Sequence, residues 1–350
     1  MKKSSLLTLF MASAVAFSAT SCKNSEVEFP DYDYSAVYFA YQSPVRSIIL
    51  GEDLFDNTLD NEHKFELYAT LSGLYENKNT VSIDIEVDNS LCDNLYYDSD
   101  ATMPVKPLPA TYYNLTSNKI VLDKTLSDGV IVELTDAFFA DADAVNTTYV
   151  LPVRMTNVSG ADSILMGAPK AVSNPVSQNA DDWDVQPKDY VLYALKYLNK
   201  WEANYLRRGE DKINDNGTVT QVVRKKEYVE RDELVFMETV SMTEVVVTIP
   251  IPIVKGDGST ENYVVPVTLT FDANDKCTAS YVGSEAYTVT GTGEFVIDGD
   301  KNSWGNQDRN AIYLDYKVDL GNGITVETKD TFVVRDRGVT IEQFTPTYKI

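Results

Sequence analysis

"VSIDIEVD", residues 81–88, alternates without a break: Val81, Ile83, Ile85 and Val87 fall on one side, Ser82, Asp84, Glu86 and Asp88 on the other. A period of two is that of a strand, whose successive side chains point to opposite faces. One apolar and one charged face mark an antiparallel sheet with one side in water. "TYVLPVRM" (148–155) repeats the pattern with Tyr149, Leu151, Val153 and Met155. Its Pro152 has no N–H for a ladder, which predicts an edge strand. "AVYFAY" (36–41), "RSIIL" (46–50), "KFELYATL" (64–71), "NKIVLD" (118–123) and "GVIVELT" (129–135) complete a set of strands ending before residue 166. Short helical pieces interrupt them near "SLCDNLYY" (90–97) and "TDAFFADADAV" (135–145). About seven short strands at this spacing predict an immunoglobulin-like β-sandwich over residues 35–166.

The stretch 167–187 is rich in Pro, Ser, Asn and Ala and has no period, so it reads as a linker. A second unit is expected over 188–350. In "KDYVLYALKYLNKW" (188–201), Val191, Ala194, Leu195 and Leu198 fall at helical spacing, which predicts a short amphipathic helix. "ENYVVPVTLTF" (261–271) and "AIYLDYKVDL" (311–320) return to alternation, and Asn322-Gly323 in "LGNGI" is a hairpin signal. Successive hairpins without crossover helices predict a lipocalin-like antiparallel barrel, closed so that no edge remains. The fold class is therefore all-β, a sandwich followed by a barrel.

The N-terminus is of another kind. Met1-Lys2-Lys3 precedes an apolar run from Leu6 to about Ala19, then Thr20, Ser21 and Cys22. A basic start and an apolar run of roughly 14 residues fit a signal peptide over 1–21 and are too short to span a bilayer, which takes about 20. Small residues before a cysteine resemble the bacterial lipoprotein box, although Ala19 stands where Leu is usual. Cys22 is then the lipidation site, and 22–34 form a tether. Acidic residues just after it, Glu26 and Glu28, resemble the export signal of Bacteroidetes surface lipoproteins. The expected place is the outer membrane, lipid-anchored and facing outward, with no membrane contact beyond the anchor.

The 350 residues carry a net charge of −23. Losing Lys2 and Lys3 from 30 basic residues leaves 28 against 53 acidic ones, or −25. Such a chain repels phosphate backbones, which argues against nucleic acid as a partner. A hydrophobic share of 43% and 22 tyrosines point to packed β-structure in place of disorder. Besides Cys22 there are only Cys92 and Cys277, in different predicted units, and two buried free thiols are expected. The single histidine and two remaining cysteines make no zinc cluster.

Several phrases carry a resemblance. "LDNEHKFELYATLSGLYENK" (59–78), "YYNLTSNKIVL" (112–122), "VELTDAFFADADAV" (132–145) and "TYVLPVRMTNVSGADSIL" (148–165) resemble a Bacteroidetes domain of unknown function. It stands at the N-terminus of surface lipoproteins, some of them joined to family-18-type glycosidase-like domains. "KYLNKWEANYLRRGED" (196–211), "NSWGNQDRNAIYLDYKV" (302–318) and "DTFVVRDRGVTIEQFTP" (330–346) resemble the lipocalin-like domain of unknown function that often follows it. The resemblance implies a setting among glycan-uptake systems, beside outer-membrane transporters and glycan-binding lipoproteins. It brings no catalytic motif and no cofactor, and no stretch of this sequence reads as a glycosidase domain.

Candidate residues follow from chemistry. His63, among Asp60, Asn61, Glu62 and Lys64, reads as a surface or turn residue. Asp84 and Glu86 share a strand face, as paired acids would, but also as any solvated strand would. "DGDKNSWGNQDR" (298–309) opens like a calcium loop with Asp298, Asp300 and Asn302, yet places Ser303 and Arg309 where Gly and Glu are needed. It reads as a polar hairpin loop, and Asp53, Asp56 and Asp60 likewise read as solvating a loop. The lipocalin-like resemblance implies that Trp201 and Arg335, with Arg337 close by, close one barrel end, the packing being a cation–π stack. Trp304, flanked by Asn302, Asn306 and Arg309, is the leading ligand contact: a sugar offers its C–H face to an aromatic ring and its hydroxyls to amides and charges. The alternative is a tryptophan capping the barrel mouth. Tyr96 and Tyr97 are weaker ligand candidates, and Tyr112 and Tyr113 read as core. No catalytic residue is assigned. The expected function is non-catalytic glycan binding. The alternatives are assembly with an outer-membrane transporter and binding of an apolar ligand inside the barrel.

Overall fold

The computed structural model describes residues 31–255 and 258–349; Cys22 and most of its tether lie outside them. The first unit is a sandwich of two sheets. One runs Ser163–Ile164, Ala36–Tyr38, Lys64–Ser72, Ser127–Leu134 and Tyr113–Leu115. The other runs Val45–Ile49, Tyr190–Leu198, Tyr149–Ser159, Thr80–Val87 and Lys119–Asp123. Val37, Leu67 and Val132 of the first meet Ile83, Ile120 and Leu151 of the second in one core. The opening stretch behaves as its alternation demands: Val81, Ile83 and Ile85 are buried there. The helical pieces are single turns, Asn89–Cys92, Asp136–Phe139 and Ala142–Val145.

Two local expectations are corrected. Residues 190–198 form no helix; they are a strand at the heart of the second sheet, antiparallel to Tyr149–Ser159 and parallel to Val45–Ile49. The strand is buried on both faces. Val191, Leu195 and Tyr197 enter the main core, while Tyr190, Leu192 and Ala194 enter a second cluster with Leu91, Leu95 and Val150. The barrel therefore starts after this strand, beyond the expected boundary at 188. Pro152 is not on an edge strand either, since Tyr149–Ser159 has a neighbour on each side. It pairs with Leu192 out of hydrogen-bond phase, so its ring nitrogen faces the other neighbour, Thr80–Val87. There the Asp88 N–H donates to the Pro152 carbonyl at 3.0 Å, just past the end of that strand. The missing donor falls on a terminal rung, where one hydrogen bond is lost. The expected linker 167–187 holds a small hairpin, Ala168–Pro169 with Trp183–Val185.

The second unit is a closed barrel of eight antiparallel strands. They are Ala203–Asp215, Glu233–Ser241, Glu244–Val254, Thr260–Phe271, Lys276–Ser280, Thr288–Asp300, Arg309–Asp319 and Ile324–Asp336, the last pairing with the first. Thr218–Arg224 adds a ninth strand beside Ala203–Asp215 through a tight turn at Asn216-Gly217, both with positive φ (49° and 95°). This is the two-residue turn that favours Asn-Gly. At the Asn322-Gly323 signal the loop is longer: the Leu320 N–H reaches the Ile324 carbonyl, and the positive φ values sit on Gly321 and Gly323.

Side chains fill the centre of the barrel: Tyr205, Met237, Val247, Val267, Leu269, Ile312, Leu314 and Phe332 are all almost wholly buried. One inner patch is charged. Arg207, 2% exposed, donates to Asp330 (2.8 Å), Glu233 (3.0 Å) and the Tyr316 hydroxyl (3.2 Å). Arg224 joins Asp330 (2.6 Å) to Asp211 (2.7 Å). Each charge of this patch has a partner of opposite sign, which such burial requires. Cys92 and Cys277 are free and buried, as expected, and burial pushes both thiols up to about 12.

The last residues return to the sandwich. The Phe344 N–H bonds the Ser43 carbonyl, and Thr347–Tyr348 pairs with Leu95–Tyr96.

Candidate binding cleft

Between the sandwich loop 51–54 and one mouth of the barrel lies a cleft of about 810 Å³. The barrel contributes Tyr205, Phe295, Ile297, Trp304, Arg309 and Arg335 among its walls, and the sandwich Gly51, Glu52, Asp53 and Leu54. Volumes of this order hold small organic ligands.

Trp304 sits in the short turn Trp304–Asn306 between two long barrel strands. Its indole N–H donates to the Val334 carbonyl at 3.1 Å, and the Arg309 guanidinium lies 3.5 Å from its ring centre. The ring is thus fixed in plane and covered on one face by a cation–π contact. Asn302 and Asn306 do not line the cleft. Both have positive φ, 49° and 55°, as do Asp298 and Gly305. These amides were expected to hold hydroxyls; their role is to let the loop turn through left-handed backbone. Gln307, Asp308 and Asn310 stand in the wall where those amides were sought. Among the described residues no group of three or more His, Cys, Asp or Glu side chains suited to a metal exists, around Asp298 and Asp300 or elsewhere.

The expected Trp201–Arg335 stack is also corrected. Trp201 is buried, stacks flat on Phe271 (4.1 Å between centroids) and carries the Lys200 ammonium 4.9 Å over its ring. Its N–H reaches Asp275 at 3.2 Å, and Lys200 pairs with the same carboxylate at 2.7 Å. Arg335 is half exposed beside Asp336 and points into the cleft wall. Arg337 makes the tie to this end of the barrel, donating to the carbonyls of Leu50 (3.0 Å), Glu52 (3.0 Å) and Asn199 (2.8 Å). Burial holds its pKa below the usual arginine value. Alternation places 335 and 337 on one side of a strand; the register that selects between them is set by tertiary packing.

Other candidates lie elsewhere. Tyr96 is paired beneath the C-terminal segment, and Tyr97 packs on Phe344 with its hydroxyl buried, so neither lines the cleft. Tyr112 donates to Asp141 within the sandwich. His63 packs at 4.1 Å on Phe139. Asp60 does not solvate a loop; it is buried, bonded to Arg46 and to the Ile49 N–H.

The sandwich wall had no local signal in the sequence. Gly51 has φ +86°, and a Cβ there would stand 2.4 Å from the Lys200 Cβ, so glycine is needed for both reasons. The Asn57 amide donates to the carbonyls of Ile49 (2.9 Å) and Gly51 (2.7 Å), and the Gly51 N–H donates to Asn61 (2.8 Å).

The architecture defines a class: an all-β protein of two units, a sandwich and a closed barrel, with a cleft where they meet. Residues 200–338 match the model described as a domain of unknown function, DUF5627, and residues 32–162 match a second model described as an N-terminal domain. A solved structure of unknown function from Bacteroides ovatus is 45% identical, aligns over 91% of this chain and 100% of its own, and superposes with a TM-score of 0.85. The chain belongs to the family of that Bacteroides ovatus protein. A multidomain protein including DUF1735, also from Bacteroides ovatus, aligns over 88% of this chain and 99% of its own at 11% identity and a TM-score of 0.40. No curated protein matches.

Proposed function

We propose that this is a non-catalytic binding protein that takes a saccharide in the cleft between sandwich and barrel, and that it is tethered through Cys22 to the outer membrane, facing outward, as part of a glycan-uptake system. The cleft carries the reading. One aromatic ring, Trp304, is locked in place at its wall. Around it stand Asp53, Gln307, Asp308, Asn310 and Arg335, which match the paired donors and acceptors of sugar hydroxyls. Preorganisation of this kind lowers the entropy lost on binding. A lipid anchor suits the setting, since two or three acyl chains bind a membrane stably where one does not.

Isothermal calorimetry of the mature protein against a panel of neutral and acidic oligosaccharides tests the reading. Binding by at least one of them, weakened about tenfold or more by Trp304→Ala, is the expected result. Retention of full affinity by that variant, or no binding across the panel, overturns it. Loss of fatty-acid labelling in Cys22→Ser tests the anchor separately.

A further inference from the structure

Leu54 is 93% exposed and Phe55 82% exposed, side by side at the tip of one loop, and Ile297 across the cleft is 59% exposed. Scattered apolar residues on a surface need no explanation, but an adjacent pair of which one, Leu54, lines a cleft does. A floppy loop could turn such side chains inward. This one is held. Its base is stitched by Asn57, Asn61 and the two Arg337 bonds, and the Leu54 N–H is tied to the Asp53 carboxylate at 2.6 Å. These six polar contacts fix the loop from Ile49 to Leu54, whose exposed side chain stands beside a cavity with Trp304 in its other wall.

We infer that Leu54, at the tip of this loop, is the second apolar wall of the cleft, and that the ligand is an oligosaccharide long enough to touch both units, held between this tip and Trp304. The inference rests on the saccharide reading and narrows it. A pyranose has an apolar C–H face and a polar hydroxyl rim. A chain of such rings can lay one ring on Trp304 and a further one against Leu54, while its hydroxyls meet Asp53, Asn310 and Arg335. Affinity then rises with chain length until both walls are met, and the step in affinity depends on Leu54.

The test uses the mature chain and a length series of whichever oligosaccharide binds, from one ring upward, titrated by calorimetry and by tryptophan fluorescence. Leu54→Ser lies on the surface, so circular dichroism and thermal unfolding should match the parent. The expected result is a loss of about tenfold or more for the longer members with no change for the shortest. Equal affinity of variant and parent for every length overturns the inference and leaves the Trp304 site standing. An equal loss at every length also overturns it, because the tip then contacts the first ring. Failure of the whole series to bind either protein overturns the inference together with the saccharide reading.

Discussion

Glu202 shows what one residue can report about the junction between the units. It is buried, and one carboxylate oxygen accepts the Thr239 N–H at 2.8 Å. Burial raises its pKa above the usual glutamate value; the Thr239 bonds and the charges of Arg337 and Lys196 pull it down but do not win. A carboxyl with a raised native pKa binds protons more readily when folded than when unfolded. Its contribution is fully favourable below the unfolded value of 4.5 and is lost as pH rises through the native one. Glu202→Gln keeps an acceptor for Thr239 and removes the charge. The variant should be more stable than the parent at pH 7.5, with the gap closing as pH falls through the raised native value and gone below about 4.5. Denaturant unfolding across that range checks the sign. A gap that widens on acidification would show that the carboxylate is stabilised by its neighbours and not penalised by burial.

At the scale of elements, Tyr190–Leu198 separates two readings of one pattern. A helix would bury Val191, Ala194, Leu195 and Leu198 and leave Leu192 and Tyr197 outside. In the strand Leu192 and Tyr197 are fully buried, on opposite faces. Leu192→Ala should therefore cost about 2–5 kcal/mol, the range for a core leucine, where a solvent-facing helix position would cost almost nothing. Urea unfolding of the variant measures it. The difference has a general cause. Half-buried strands such as Val81–Val87 are legible because one face is polar; a strand buried on both faces has an apolar residue at every period. Prolines were legible in kind but not in place. Pro250 and Pro252 lie out of hydrogen-bond phase with Thr260–Phe271, so their nitrogens face the side where Glu233–Ser241 pairs only as far as Val247. They blunt a free edge, as prolines do. The candidate site divides the same way. Trp304 and Arg309 are neighbours in sequence and were readable as an aromatic beside a charge. Leu54 and Gly51 line the same cleft from some 250 residues away in the chain, through packing that no local pattern encodes.

The whole molecule is joined at both ends of the barrel sequence. Asn199, at the entrance, is 1% exposed and fully used: its side chain accepts the N–H groups of Trp201 and Glu202 and donates to the carbonyls of Ser241 and Glu244. At the exit, Arg337 ties the last strand to the sandwich loop, and residues 339–349 cross back onto the sandwich. Glu342 pairs with Lys196 at 2.7 Å, Phe344 packs with Tyr97 at 5.3 Å, and Thr347–Tyr348 adds a strand to Leu95–Tyr96. Residues 339–349 thus pack onto the N-terminal unit. Ending the chain after Gly338 leaves the barrel strands whole and strips Phe344 and Tyr348 from the cluster around Leu91 and Leu95. Both rings are partly buried, so their loss costs less than the ~3–5 kcal/mol of a fully buried phenylalanine, and the lost backbone pairing adds to it. The full chain should unfold thermally in one step, and the shortened chain in two, with the sandwich melting first. Calorimetry that finds a single unshifted transition in the shortened chain would mean that the return segment lies on the sandwich without holding it.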